Sequence, residues 1–231
     1  MKKALILVLV LGLLLAVMPA GADGKLSVEQ ENFHVIDAFA VYGFVYAKVA
    51  NVGDQAIKVS NALMEVMDKD GNAITSTDYF NGHARYLEPG EYTYLRLNEA
   101  IEDRPAADVD GCTLTVTGIS DGDYKNLRLP VVCEYKENVQ VDWNTRNIMY
   151  ATVTNNTEDI IYDLGVVLAL LDAQGNILYM DSSYMGSDKG LLPGSSIIVR
   201  EYVDNLFITV FESKGLVPAS VDAIAYAEVR R

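Results

Sequence analysis

Positive charge is scarce in this chain: 18 Lys and Arg stand against 32 Asp and Glu in 231 residues, a formal net charge of −14. A protein that grips nucleic acid needs a basic face to release counterions, so nucleic acid is excluded as a partner, and an anionic membrane surface fits no better. Histidine is nearly absent. His34 and His83 lie far apart without metal-ligand spacing, and each reads as a strand or surface residue, not as a ligand or general base. There is no Gly-x-Ser-x-Gly elbow, no Gly-rich phosphate loop and no Cys-x-x-Cys pair. Acid, base and nucleophile candidates do not gather at one place, so the chain reads as a non-enzyme with no cofactor and no metal. Half the residues are apolar and 22% are charged, which is enough to build a core.

The N-terminus accounts for the longest apolar run. Met1-Lys2-Lys3 is a basic start, Ala4–Val17 is apolar apart from Gly12, and Ala20-Gly21-Ala22 supplies small residues at a cleavage site, which together read as a signal peptide over residues 1–22. The run is too short for a spanning helix, and no Cys follows it to carry a lipid. The expected mature protein is therefore exported, extracellular or periplasmic, with no stable membrane anchor. Its 209 residues carry a net charge of −16, because the signal removes Lys2 and Lys3.

Those residues contain a duplication. A shift of 104 positions aligns Tyr46–Arg96 with Tyr150–Arg200 without a gap, with identities that include Tyr46/Tyr150, Val49/Val153, Asn51/Asn155, Asp68/Asp172, Gly71/Gly175, Pro89/Pro193, Gly90/Gly194 and Arg96/Arg200. A period of 104 is the size of a domain, not of a solenoid unit. The boundaries expected are 23–127 and 128–231.

Each copy has the periodicity of strands. Val45, Ala47 and Val49 alternate with Tyr46, Lys48 and Ala50, and Met149, Ala151 and Val153 repeat the pattern. This alternation sets Tyr46 and Tyr150 on the polar face, toward a sheet edge or solvent. Met64 and Val66 point inward before the hairpin signal Asp70-Gly71, and Leu-x-Pro-Gly turns at 87–90 and 191–194 precede further strands. Closing strands follow at Cys112–Thr117 and Val221–Val229, offset by 112 after an eight-residue insertion near Asn205–Gly215. That insertion reads as a short helix, with Asp204 as N-cap and Gly215 as stop. The fold class expected is all-β: two tandem immunoglobulin-like antiparallel β-sandwiches after a cleaved signal peptide.

Met64-Glu-Val-Met-Asp68 and Leu168-Ala-Leu-Leu-Asp172, each set between an Asn-ending strand (Asn51, Asn155) and a Pro-Gly turn, resemble the FxLYD-type immunoglobulin-like domains of bacterial secreted proteins. Met64, Met67, Leu168 and Leu171 stand where that family has aromatics. The resemblance covers about half of each copy and implies a bacterial envelope or extracellular role without catalytic residues.

Two cysteines in an exported chain predict a disulfide. Cys112 and Cys133 flank Ser120-Asp-Gly-Asp123, so a hairpin there sets them opposite one another; because Pro130–Tyr135 aligns with the opening of a copy, the bridge would alternatively staple the two domains. Asp68-Lys-Asp-Gly-Asn72 looks like the start of a calcium loop, but Tyr79 occupies its twelfth position and Gln174 replaces the middle Asp in the second copy, which favours a plain turn. Asp108, Asp110, Asp121 and Asp123 read as solvated acidic loops, with weak Ca²⁺-dependent adhesion as the lesser alternative. Fourteen tyrosines are the more suggestive feature: Tyr79, Phe80 and Tyr86 in the first copy, and Tyr179 and Tyr184 in the second, are the candidate binding residues. The function expected is a binding or scaffold module contacting an envelope protein or glycan through loops. The alternative is a homo-oligomeric structural subunit that pairs edge strands.

Overall fold

The computed structural model describes residues 24–186 and 188–231; the signal-peptide reading of residues 1–22 lies outside them. The chain is all-β with one short helix. In order, the elements are β1 (Leu26–Asp37), β2 (Val41–Asn51), β3 (Ile57–Asp68), β4 (Ala73–Thr77), β5 (Phe80–Gly82), β6 (Tyr86–Leu87), β7 (Tyr92–Ile101) and β8 (Val109–Ile119). The second half continues with β9 (Tyr124–Leu129), β10 (Val131–Val141), β11 (Asn144–Thr154), β12 (Leu164–Asp172), β13 (Ile177–Met185), β14 (Ser196–Tyr202), α1 (Asn205–Lys214) and β15 (Pro218–Arg230).

The strands form antiparallel sheets. Sheet 1 contains β3 flanked by β8 on one side and by β4 and β6 on the other; sheet 2 has the order β1-β2-β7-β5. Sheet 3 has the order β13-β12-β15-β9, and sheet 4 the order β10-β11-β14. Val45, Ala47, Val49, Leu95 and Leu97 of sheet 2 meet Val59, Ala62, Met64 and Val66 of sheet 1 in one core. Met149, Ala151 and Val153 of sheet 4 meet Val166, Leu168 and Leu170 of sheet 3 in another. The inward positions expected from alternation are thus the buried ones.

The pairing of the first half recurs in the second. Ile57 faces Leu87 as Ile161 faces Leu191, and Asn51 and Asn155 do the same work: each buried amide donates to the carbonyl of the Leu before the Pro-Gly turn, at 3.0 Å to Leu87 and 2.8 Å to Leu191. Gly90 and Gly194 sit at φ 82° and 71°, the left-handed region that a type II turn requires at that position. The last strands shift the offset: Val66 pairs with Cys112 and Leu170 with Val221, so they correspond at 109 rather than 112. The net insertion is five residues, because β8 and β15 begin at matching points, Val109 and Pro218. It holds the expected helix, with the Asp204 carboxylate accepting from the Leu206 amide at 2.9 Å and Gly215 left-handed.

Two expectations fail at the 120–123 segment. No hairpin forms there, because β8 pairs with β3 in sheet 1 whereas β9 crosses over to pair with β15 in sheet 3. The cysteines are consequently unbridged: Cys112 lies on β8 beside β3, and Cys133 lies on β10, opposite Ala151 of sheet 4. Burial raises both thiols, Cys112 to about 12 and Cys133 to about 11, which keeps them protonated.

A third layer contact joins the halves. The face of sheet 2 that alternation assigns to solvent instead packs on sheet 3: Tyr46 is fully buried, with ring centroids 5.8 Å from both Tyr179 and Phe207. The hydroxyls of Tyr92 and Tyr94 both donate to Asp222 Oδ2 at 2.7 Å, and the side-chain amide of Asn32 donates to the Ile177 carbonyl at 2.6 Å. Arg96 lies 3.6 Å from Asp181, and Arg128 reaches Glu91 at 3.0 Å and the Tyr92 carbonyl at 2.5 Å. Sheets 1, 2, 3 and 4 therefore stack in that order. Leu164–Leu170 of β12 are all buried, as a strand covered on both faces must be.

Replacing Asp222 by Ala leaves two phenol hydroxyls at this junction without their acceptor and should destabilise the protein by about 2–4 kcal/mol. Asp222→Asn, which retains an acceptor oxygen, should lose less. Urea unfolding midpoints read both, and equal stability of Asp222→Ala and the unsubstituted chain would contradict the assignment.

Candidate interaction site

The predicted tyrosines do not assemble into one surface. Tyr86 is buried beneath Tyr124, with Lys58 Nζ 4.8 Å from its ring centre, and Tyr179 is buried in the junction of sheets 2 and 3. Phe80 is half-buried on β5, against the first core. Only Tyr79, at 77% exposure, and Tyr184, at 65%, present rings to solvent, and the Tyr184 hydroxyl is bonded to Asp163 at 2.5 Å. Of the five candidates, Tyr86 and Tyr179 are thus buried, Phe80 is half-buried, and Tyr79 and Tyr184 are exposed.

The acidic turns are likewise engaged. Asp68 Oδ1 accepts from the Asp70 and Asn72 amides at 2.9 and 2.8 Å, and Asp172 Oδ1 does the same for Gln174 and Asn176. The bonds to Asn72 hold the Asp68 carboxyl below its ordinary range. This side-chain use explains the calcium-like spacing as turn chemistry common to both copies. Asp121 pairs with Lys58 at 3.6 Å, and among the described residues no cluster of three His, Cys, Asp or Glu side chains forms.

The most exposed aromatics among the described residues stand at two hairpin tips. Phe39, between β1 and β2, is completely exposed, and Trp143, between β10 and β11, is 97% exposed. They are 104 positions apart, so the duplication pairs them. That offset is the signal by which the sequence marks them, although their neighbours outside the ungapped alignment show little identity. Both hairpins flank α1. Phe39, Ile36, Tyr42 and Phe44 line a groove of about 220 Å³ with Leu206 and Phe207, while Asn138 and Thr145 of the other hairpin line a larger groove with Asn205 and Ile208. One pole of the molecule thus carries two free rings and the exposed Leu206 beside a short apolar groove.

The floor of that groove is a cluster of packed rings. Phe207 stands edge-on to Phe44, 5.1 Å between centroids, and to Tyr179 at 5.0 Å; Phe207 and Phe211 also enclose the His34 ring at 5.9 and 6.2 Å. His34 is buried, and burial, aided by the nearby Lys214 charge and partly opposed by the Leu178 backbone, lowers it from 6.5 to about 4. The imidazole is neutral at pH 7 and acts as an apolar ring. His83 is also lowered by burial and lies 3.4 Å, Nδ1 to Oη, from Tyr226 at the junction. His34 is enclosed, whereas His83 is half-buried and lines a small cleft with Arg96 and Asp181.

No family model and no curated protein matches the chain. Among solved structures it is similar to red sea bream transglutaminase, at 11% identity and a TM-score of 0.23, over 88% of this chain and 31% of that one. It is also similar to the C-terminal globular domain of the oligosaccharyltransferase of Pyrococcus abyssi, at 9% identity and a TM-score of 0.18, over 89% of this chain and 48% of that one. The chain spans less than half of either protein. Similarity at that level carries no argument about activity.

The site makes an acid prediction. Because the folded pKa of His34 lies below the unfolded value, its contribution is complete above pH 6.5 and is lost as pH falls toward 4, to a total of about 3 kcal/mol. Melting temperature followed from pH 7 to 4 should fall more steeply for the unsubstituted protein than for His34→Leu. Parallel profiles would contradict it.

Proposed function

We propose that the protein is an exported, non-catalytic binding module built as two tandem immunoglobulin-like units that meet at the crossover between β8 and β9, a few residues before the 127/128 boundary expected from the repeat, and that it contacts an envelope protein through the pole bearing Phe39 and Trp143. The order β10-β11-β14 opposite β13-β12-β15 corresponds to the A-B-E and C′-C-F strands of an immunoglobulin sandwich, and β1-β2-β7 opposite β4-β3-β8 repeats it. The export reading rests on residues 1–22. The observation that carries the binding site is that both copies display a free aromatic ring at the same hairpin, where neither ring contributes to a core. Tyr, Trp and Phe rings offer large apolar area at low entropic cost, and they anchor interfaces when seated in a partner's pocket. The fixed junction between sheets 2 and 3 suits such a role, since it sets both hairpins in one orientation and spares the ordering entropy of two loose domains.

Trp143 is the only tryptophan, so its emission reports directly on the site. Cross-linking in the native envelope fraction should recover a protein that Phe39→Ser/Trp143→Ser fails to recover, and the isolated partner should shift Trp143 emission to the blue. The double variant should melt within about 2 °C of the unsubstituted chain, since neither ring is packed. A partner retained undiminished by the double variant would overturn this reading, and an emission shift with envelope oligosaccharide alone would reassign the site to a glycan.

A further inference from the structure

Most long edge strands of this protein carry the devices that prevent strand-to-strand association. β1 has Glu29 and Glu31 and a bulge between Val28 and Gln30; β10 has Glu134, Lys136 and Glu137 and a bulge before Val139; β14 has Arg200 and Glu201. β9 has Lys125 and Arg128, and β13 has Asp181. Charges and bulges of this kind make an edge a poor template for another strand.

β8 differs. Its bulge at Asp110 marks the end of its protection: from Gly111 to Ile119 it has no charged residue and no proline, and it pairs on one side with β3 and with nothing on the other among the described residues. Thr113, Thr115 and Thr117 point to solvent on the outer face of sheet 1, while Cys112, Leu114 and Val116 contact the core. The duplicated half shows what such an edge accepts. Val116 and Ala225 are equivalent through their pairing with Ala62 and Val166, and on β15 the corresponding free side is filled by an antiparallel strand, β9, from Ala225 to Arg230.

We propose that the free edge of β8 is a self-association site, where β8 of a second copy adds in antiparallel orientation and joins the two copies of sheet 1 into one continuous sheet. Self-complementarity selects this occupant, because the uncharged strip Gly111–Ile119 alternates threonines with Leu114 and Val116 and so matches its own antiparallel copy. Two molecules of net charge −14 repel one another, and only an uncharged contact strip allows close approach without opposing like charges. Among the long edges, β8 alone provides nine uncharged residues in succession. Antiparallel self-pairing centred near Thr115 sets threonines of the two copies side by side on one face and Leu114 and Val116 side by side on the other, both favourable cross-strand neighbours. The contact closes on a twofold axis, so it yields a dimer and not a filament.

Light scattering on the mature chain, residues 23–231, over a concentration series should show a monomer–dimer equilibrium that tightens as salt screens the acidic surfaces. Substituting Thr113→Lys, Thr115→Lys and Thr117→Lys together should weaken dimerisation at least tenfold. The variant is less acidic overall, so a general charge effect would strengthen association, and a loss identifies the β8 seam itself. Far-UV circular dichroism verifies that the variant folds. As a second measurement on the unsubstituted chain, hydrogen exchange should show amides within 111–119 gaining protection as concentration rises. A chain that remains monomeric at millimolar concentration, a dimer that the triple variant forms equally well, or protection of 111–119 that does not depend on concentration would each overturn the proposal. The last result would mean that a segment of the same chain covers the edge.

Discussion

The Asp222 carboxylate, accepting hydrogen bonds from the hydroxyls of Tyr92 and Tyr94 between sheets 2 and 3, is the interaction on which the rest of the architecture depends. A charged acceptor gives stronger hydrogen bonds than a neutral one, and leaving either phenol without a partner would cost as much as the bond contributes. Burial and the bond to Asp222 both push the two tyrosines upward, so they remain donors throughout the physiological range. With this contact made, Tyr46 and Phe207 are enclosed, α1 is seated, and the hairpins carrying Phe39 and Trp143 are set at one pole.

The two copies are alike in the apolar character of their inward positions and differ on their outward faces. On β3 the outward positions Asn61, Leu63 and Glu65 face solvent, whereas the equivalent positions on β12 are Gly165, Val167 and Ala169, facing sheet 2. Gly165 is required by contact: a Cβ there would lie 2.6 Å from the Tyr226 ring that passes over it toward His83. On β15 the outward Asp222, Ile224 and Tyr226 replace Thr113, Thr115 and Thr117 of β8. These exchanges give sheet 3 a face able to pack and leave sheet 1 with a polar one. The stack therefore ends at sheet 1, much as a capping repeat ends a solenoid.

Much of this was legible locally. Val45, Ala47 and Val49 on the core face, the Asp68 and Asp172 turns, the Pro-Gly turns and the Asp204-capped helix all follow from rules that act over a few residues, and all stand where periodicity and capping place them. Tyr46 did not, because alternation distinguishes two faces of a strand and cannot say that the second is covered by another sheet. The unbroken apolar run of β12 is the one local trace of that covering. The Cys112–Cys133 pairing failed for a similar reason: a hairpin and a crossover between sheets need the same turn residues, and the choice between them is made by which strand edges are free.

By itself, the sequence determined the strand class, the duplication at 104 residues, the acidic surface and the absence of local catalytic motifs, since each is a property of composition or of neighbours along the chain. Only the tertiary structure decided that the halves are fused face to face, that Tyr86 and Tyr179 are packing residues while Phe39 and Trp143 are free, and that, among the described residues, β8 alone has a long uncharged edge without a partner strand. Those outcomes depend on contacts between residues about 40 to 140 positions apart, and nothing in a local pattern records whether the surface it creates will meet water or another sheet.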